Sequence, residues 1–376
     1  MIERAAVAVF TEHFNATYVI NFAAPFAAPS ATGCAGHGFA MTADEMDTFE
    51  APALGRRLDE ACDRHGLRLA VLSRVVGAAS RRVREHFARR GVPVCLHLDD
   101  WLFGVPPELG PNYAARYDAA FCTDLQQLME GMDAVLCSTP HLAARVRQLS
   151  CGVPVLAVPG ICYRPFPAQR LALRTRLGRA RRRLENSGRV VVGYAGSRSH
   201  LRDLELVVPA LQELMARRPE VHFETFGMPA PQALALRWPG RVRAVGFSPA
   251  YGDYMHTLYT LGWDLGLCPL VDDEFNRCKT ATKLAEYTAC GIPALCSDVV
   301  PYRQILGRVP DASLLAPGDW ADSLGRWCGD SVTRRAGWQA ADRALRDVGA
   351  DRPAAAILQA WDRVAMNDTA GAGHQP

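Results

Sequence analysis

Two stretches of this chain repeat one pattern: a short apolar run, a segment with apolar residues at helical spacing, then another short apolar run. A helix between two such strands returns the chain to the same end of the sheet, so the strands pair in parallel and helices cover both faces. In the first stretch, strands are expected at 5–10, 69–73, 92–98, 134–138 and 155–158, with helices at 55–65 and 79–90. Gly91 stops the second of these helices ahead of Pro93, and the Ala-, Pro- and Gly-rich segment 22–38 reads as a loop over strand ends. In the second stretch, strands are expected at 190–194, 222–226, 242–245, 265–268 and 293–297, with helices at 203–217, 251–261 and 282–290. A proline-bearing turn at 159–167 and an arginine-rich helix at 168–184 separate the two. The expected fold class is α/β, with two facing Rossmann-like domains and a cleft between them. The domains are residues 1–166 and 189–335, joined by a linker at 167–188. Helices at 336–366 pack back across the hinge, and 367–376 form a flexible tail. With 376 residues, each half is long enough to bury its own core.

Composition removes several classes of function. Apolar residues make up 49% and charged residues 22%, the balance of a globular protein. Forty-two basic against thirty-nine acidic residues leave +3, which provides no field for nucleic acid. No window holds the roughly eighteen uninterrupted apolar residues of a spanning helix. The apolar run behind Glu3 and Arg4 is too short for a secretory signal. No helix joins a cationic face to an apolar one well enough to argue for a lipid surface, although peripheral membrane contact stays open. The twelve cysteines include no C-x-x-C pair, and Cys95, Cys122, Cys137, Cys268, Cys290 and Cys296 sit in apolar runs where a thiol packs as a small hydrophobe. A reducing, cytoplasmic location and no metal site are expected.

Lysine occurs twice, at Lys279 and Lys283, while arginine is abundant throughout. Both lysines lie in PLVDDEFNRCKTATKLAEYTACGIPALCSDVVPYR (269–303), which reads as strand end, acidic-polar loop, helix, Gly-Ile-Pro turn and strand. In an open parallel sheet, ligands bind outside the carboxyl ends of the strands, where 269–279 falls. A helix starting near Thr280 and Thr282 points free N–H groups and its positive end at that crevice. Lys279 and Lys283 are one turn apart, with Glu286 three residues further on. An isolated K-x-x-x-K-x-x-E is usually an exposed face with an ion pair. Here the buried flanks and the scarcity of lysine favour a diphosphate site that needs no divalent cation, with a carboxylate placed for a ribose diol.

GYAGSRSHLRDLE (193–205) follows the first strand of the second half. Its small-residue turn (Gly196, Ser197) lets backbone approach a ligand, Asp203 caps the next helix, and Arg198, His200 and Arg202 add positive charge. Arg202 is the first choice for a phosphate contact; the plainer reading is a βα turn with solvated arginines. Phe247 and Tyr254, after the strand at 242–245, offer a stacking surface for a base. In the first half, VCLHLDDWLFG (94–104) ends a strand in His97, Asp99 and Asp100. The two carboxylates either bind acceptor hydroxyls, bind metal or act as a base, or else Asp99 caps a turn and Asp100 pairs with an arginine. Glu12-His13-Phe14-Asn15 places His13 within reach of the same cleft, and Cys34 to Gly38 forms a loop over it.

Taken together, these residues resemble the GT-B glycosyltransferases of the family 4 (group 1) type, in the form found in bacterial polysaccharide synthesis. LAEYTACGIPALCSD (284–298) is similar to that family's donor helix and following strand, and GYAGSRSHLRDLE to its phosphate-side loop. LAVLSR (69–74), HLDDWLFGVP (97–106), VLCSTPHLAARV (135–146) and VPGICYRPF (158–166) resemble its N-domain pattern, closing strand and hinge. The resemblance implies hexosyltransferase-like transfer from a nucleoside-diphosphate sugar, with retention of configuration and no cofactor. The acceptor is a glycan, a lipid-linked sugar or a small molecule. Lys283, Arg202 and Glu286 are the residues it marks as catalytic. The residues' own placement at the strand ends gives Gly196, Ser197, Arg198, His200, Phe247, Tyr254, Lys279, Thr280 and Thr282 as expected donor contacts, and His13, His97, Asp99 and Asp100 as expected acceptor contacts. The family often has two glutamates eight positions apart. The second falls on Glu286 and the first on Cys278, so Asn276, Arg277 or Glu274 is expected to take over the sugar contact.

Four other readings fit less well. A catalytically inactive binding subunit and a nucleotide-sugar epimerase share the fold. A pyridoxal phosphorylase needs a lysine beyond the two present. A dehydrogenase needs a strand followed by G-x-G-x-x-G and a later acid, which does not occur.

Overall fold

A computed structural model describes residues 6–26, 37–150, 152–164, 173–308 and 313–366. Cys34, the linker's first residues and the tail at 367–376 lie outside them.

The first sheet contains β1 (Ala6–Thr11), β2 (His37–Thr42), β3 (Leu67–Ser73), β4 (Val94–Leu98), β5 (Ala134–Cys137) and β6 (Val155–Ala157), all parallel, in the order β2-β1-β3-β4-β5-β6. The second contains β7 (Val190–Ala195), β8 (Val221–Phe226), β9 (Val242–Val245), β10 (Leu265–Cys268), β11 (Ala294–Ser297) and β12 (Leu314–Leu315), also parallel, in the order β12-β11-β10-β7-β8-β9. Both are doubly wound sheets. The strand order reverses beside β1 in one and between β7 and β10 in the other, and such reversals open a crevice at the carboxyl strand ends.

The buried residues explain why the strands read as continuous apolar runs. Both faces of each sheet are covered, with one cluster on either side. The Ser331–Asp347 helix buries Ala341, Ala344 and Leu345 in the second domain. The Ala354–Ala365 helix then crosses back, and its Ile357, Leu358, Trp361 and Val364 pack against Val7, Val9, Leu69 and Val71 of the first sheet. At this crossing the Tyr163 amide donates to the Ala350 carbonyl (2.8 Å), and the Tyr163 hydroxyl bonds Asp342.

Three elements differ from expectation. The HGFAMT strand, β2, pairs on the edge of β1, where its mixed composition hid it inside a segment read as loop. A helical turn at Val19–Ala23 runs into the start of that segment, and another follows at Ala24–Phe26. The helix expected at 203–217 is two, Leu201–Glu205 and Val208–Arg217, because Pro209 sits in the first turn of the second and supplies no N–H to continue the first.

Gly193 in β7 serves packing, not ligand approach. A Cβ there would sit 1.8 Å from the Trp263 ring, whose Nε1–H donates to buried Glu224 (2.9 Å). Gly193→Ala is therefore expected to destabilise the second domain by about 1–3 kcal/mol, read as a lowered Tm in a thermal melt. An unchanged Tm would mean the indole has room to move.

Candidate functional site

The two strand-order reversals face one another across a cavity of ≈ 450 Å³ between the domains. From the first domain, Asn15, Ala16 and Thr17 after β1 and Asp99 and Asp100 after β4 line it. From the second come Gly196, Ser197 and His200 after β7, and the segment around Lys279, Thr280, Thr282, Lys283 and Glu286 after β10.

The Thr282–Ala289 helix starts at this cavity with no side chain capping its first turn, so its leading N–H groups are available. Thr280 and Thr282 hydroxyls lie 2.7 Å apart beside it. Lys283 Nζ is buried, has no hydrogen-bond partner, and rests 4.0 Å from the centre of the Tyr194 ring. A Cβ on Gly196 would lie 3.4 Å from that nitrogen, so the side-chain-free turn leaves its approach open. Burial, reinforced by the nearby Lys279, pulls the Lys283 pKa below its ordinary value. An unpaired buried ammonium is costly, and an anion in the cavity would relieve that cost. Lys279 lies over the Phe275 ring and reaches across the cleft to Asp100 (3.3 Å).

Glu286 lines the same cavity. The Tyr254 hydroxyl donates to its Oε2 at 2.9 Å, and Tyr251 supplies a second hydroxyl. Burial outweighs these bonds and raises its pKa to about 7. Tyr254 also stacks on Phe226 (5.0 Å, 11°) and near Tyr251 (5.9 Å, 20°), forming an aromatic wall. Phe247 closes that end of the cavity and is 69% exposed, a ring with one face unused. His200 Nδ1 bonds Asp203 (2.9 Å), while burial and the charge of Lys283 lower its pKa to about 4, so it is a neutral imidazole at pH 7.

On the opposite wall, Arg74 organises both carboxylates. Its guanidinium meets Asp99 at 3.2 Å and Asp100 at 3.4 Å, and donates to the Tyr117 hydroxyl (3.1 Å). Thr17 donates to Asp99 at 2.7 Å. Burial raises the Asp99 pKa, but Arg74, His97 and Thr17 together win, and it stays below the usual carboxylate range. Among the described residues, Arg74 is the one non-glycine residue at positive φ (61°), a strained backbone that aims its side chain at the pair.

Several residues expected at the site are engaged elsewhere. Arg202 does not line the cavity. It pairs with Asp273 and lies 3.9 Å from Glu108 of the first domain. Arg198 is exposed outside the lining, and so is His13. His97 is a buried pin across the first sheet, held by Ser73 (3.0 Å) and Ser138 (3.1 Å) and kept neutral by burial, which lowers its pKa to about 4. Asp203 is not a helix cap. It accepts from the Val271 amide (3.0 Å) and from Asn276 Nδ2 (2.9 Å), so it fixes the loop ahead of the lysines. Asn276 is buried and its Nδ2 group is spent within that loop, and Arg277 pairs with Asp272 (2.7 Å) on the surface.

Nor does Glu274 or Cys278 reach the cavity. Phe275 and Cys278 pack into the first domain's core, the Cys278 carbonyl accepts from Thr139 (3.0 Å), and Glu274 pairs with Arg145 (2.7 Å) and His141 (3.2 Å). His141, Glu274 and Cys278 offer ligand atoms within 4.8 Å of one another. The Arg145 cation already shares the carboxylate, and burial lifts the thiol pKa to about 12, so the cluster works as an interdomain latch. Arg74, Thr17, Tyr251 and the Phe226-Gly227 turn were not singled out in the sequence. A strand-end arginine in LAVLSR and a strand-end F-G were the available signals.

Two Rossmann-like domains facing one another across a shared crevice define the GT-B glycosyltransferase fold, and the chain has it. No protein-family model matches the sequence, and a search of curated proteins finds no match. Among solved structures, Anabaena Alr3699/HepE in complex with UDP-glucose is similar over 95% of this chain and 99% of its own, at TM-score 0.61 and 13% identity. WaaG, a glycosyltransferase involved in lipopolysaccharide biosynthesis, covers 95% and 99% at TM-score 0.60 and 14% identity. The UDP-forming α,α-trehalose-phosphate synthase of Burkholderia vietnamiensis covers 85% and 79% at TM-score 0.54 and 16% identity.

Proposed function

We propose that this protein is a glycosyltransferase that moves a sugar from a nucleoside-diphosphate sugar to an acceptor hydroxyl, with retention at the anomeric carbon. The observation that carries the reading is Lys283, a buried ammonium with no hydrogen-bond partner, aimed into an interdomain cavity beside an uncapped helix start. A diphosphate there would be held by Lys283, Lys279, the Thr280 and Thr282 hydroxyls and the helix N–H groups. Glu286 would accept from a ribose diol, and the base would lie against Phe247 and the Tyr254 wall. Among the structures similar in fold, Anabaena Alr3699/HepE is a complex with UDP-glucose in one case and with UDP in another, which supports a nucleotide-sugar as the donor class.

As the glycosidic C–O bond breaks, negative charge gathers on the leaving phosphate, where Lys283 and the N–H groups stabilise it. One such preorganised donor is worth roughly 100–1000-fold in rate. Lys279 couples the two walls: a diphosphate competes with Asp100 for its ammonium, freeing that carboxylate to orient an acceptor hydroxyl. The leaving phosphate takes the acceptor proton, so Asp99 and Asp100 need only position it. On this reading Arg202 holds the loop through Asp273 and is a positioning residue. The family 4 resemblance extends the proposal to a cytoplasmic, cofactor- and metal-independent hexosyltransferase of glycan or glycoconjugate synthesis. Among the described residues no helix is long and apolar enough to cross a membrane.

One observation favours a second reading, a binding subunit without transfer: the 274–278 turn, which the resemblance places at the donor sugar, is spent on the domain latch. Incubation of purified protein with a panel of nucleoside-diphosphate sugars separates the two. Release of nucleoside diphosphate, accelerated by an acceptor, supports the enzyme. Binding with no release over many hours would leave the binding subunit.

A further inference from the structure

The Leu173–Glu185 helix is docked with its polar side inward. Arg179 is buried, its Nη1 donating to the carbonyls of Tyr259 (3.0 Å) and Cys290 (2.7 Å), and Arg182 pairs with buried Glu224. Gly178 lets this side close on the Tyr251–Leu261 helix, where a Cβ would lie 3.2 Å from Thr260. The outward side is therefore the apolar one. Leu173, Leu177, Ala180 and Leu184 fall at i, i+4, i+7 and i+11, a single stripe, and the leucines are 66%, 58% and 77% exposed. Arg176 and Arg183 border the stripe on one side, Arg174 and Arg181 on the other, all exposed. This corrects the expectation that no helix joins a cationic face to an apolar one: the pattern was hidden because arginines fill the inner face as well.

The geometry points to this helix as a docking surface for an anionic lipid bilayer, with the leucine stripe entering the headgroup–acyl boundary and the flanking guanidiniums on lipid phosphates. An exposed leucine row with cations on both flanks matches an interface that is apolar along its centre and negative at its edges. A second copy of the chain fits worse. Pairing the stripes sets arginine flank against arginine flank, with Glu185 the one acid on the helix to offset them. The surface stands at the far ends of the Tyr251–Leu261 and Thr282–Ala289 helices from the cavity, so docking leaves the cleft clear.

The test is co-sedimentation of the full chain with phosphatidylcholine vesicles, with and without phosphatidylglycerol. Binding is expected with phosphatidylglycerol and to weaken as salt is raised. Leu177→Asp/Leu184→Asp is expected to lower partitioning by about tenfold or more at unchanged Tm, because both side chains are exposed. Arg176→Gln/Arg183→Gln, which keeps the stripe, is expected to reduce the dependence on anionic lipid. Three results would overturn the proposal: no binding of the wild type to phosphatidylglycerol vesicles, a leucine variant that binds equally well, or a wild-type dimer that the leucine variant makes monomeric without any vesicle binding.

Discussion

Lys283→Met is expected to raise the Tm of the free protein and, in the same variant, to remove the thermal shift that a nucleoside diphosphate gives the wild type. The two effects have one cause. In the free protein the ammonium is buried against the Tyr194 face without a hydrogen-bond acceptor, so a thioether of similar length relieves an uncompensated charge. In the proposed complex that charge partners the diphosphate, and its loss is expected to cost about 3 kcal/mol, roughly 100-fold in Kd. Scanning fluorimetry with each common nucleoside diphosphate reads both. A wild type at about 100 times Kd gains roughly 2.7 kcal/mol from ligand, and the variant gains far less. If the variant shifts as the wild type does, the phosphates are bound elsewhere.

Glu286→Gln is expected to stabilise the free protein above neutral pH and to leave it nearly unchanged at pH 5. Burial holds the native Glu286 pKa at about 7, against an unfolded value of 4.5. Between these values the native state binds the proton and the unfolded state does not. The contribution of Glu286 to stability is thus fully present below about 4.5 and is lost as pH rises through about 7. A shift of this size corresponds to about 3 kcal/mol by pH 8, which a neutral amide that still accepts from Tyr254 avoids. Denaturant melts at pH 5 and pH 8 check this. Equal wild-type and variant stability at both pH values would show that Glu286 is hydrated and titrates normally. On the proposed donor placement the same substitution is expected to weaken nucleotide binding, because an amide accepts a ribose diol less strongly than a carboxylate.

What was legible in the sequence follows from how local each signal is. The strand–helix alternation repeats within short windows, so every long apolar strand lies within a few residues of its expected place, and the unusual chemistry of two lysines marks the cavity directly. The misses depend on partners far along the chain. Arg202 looks like a free phosphate ligand until Asp273 is brought beside it, and His97 looks like an acceptor contact until Ser73 and Ser138 close on its two nitrogens. Asn276 and Arg277 are spent on Asp203 and Asp272. Arg74 escaped because its role rests on a left-handed backbone and on two aspartates in the next strand's loop, neither of which a run of apolar residues announces. The exposed leucine stripe of the Leu173–Glu185 helix escaped because arginines fill the inner face as well as the flanks.

The most direct measurement is calorimetric titration of wild type and Lys283→Met with a nucleoside and its mono- and diphosphate in parallel. The pair of ammoniums at an uncapped helix start predicts that affinity climbs with each phosphate in the wild type and that most of the climb to the diphosphate vanishes in the variant. Equal affinity for nucleoside and diphosphate, or a climb that survives the substitution, would mean that this cavity is not built for a pyrophosphate.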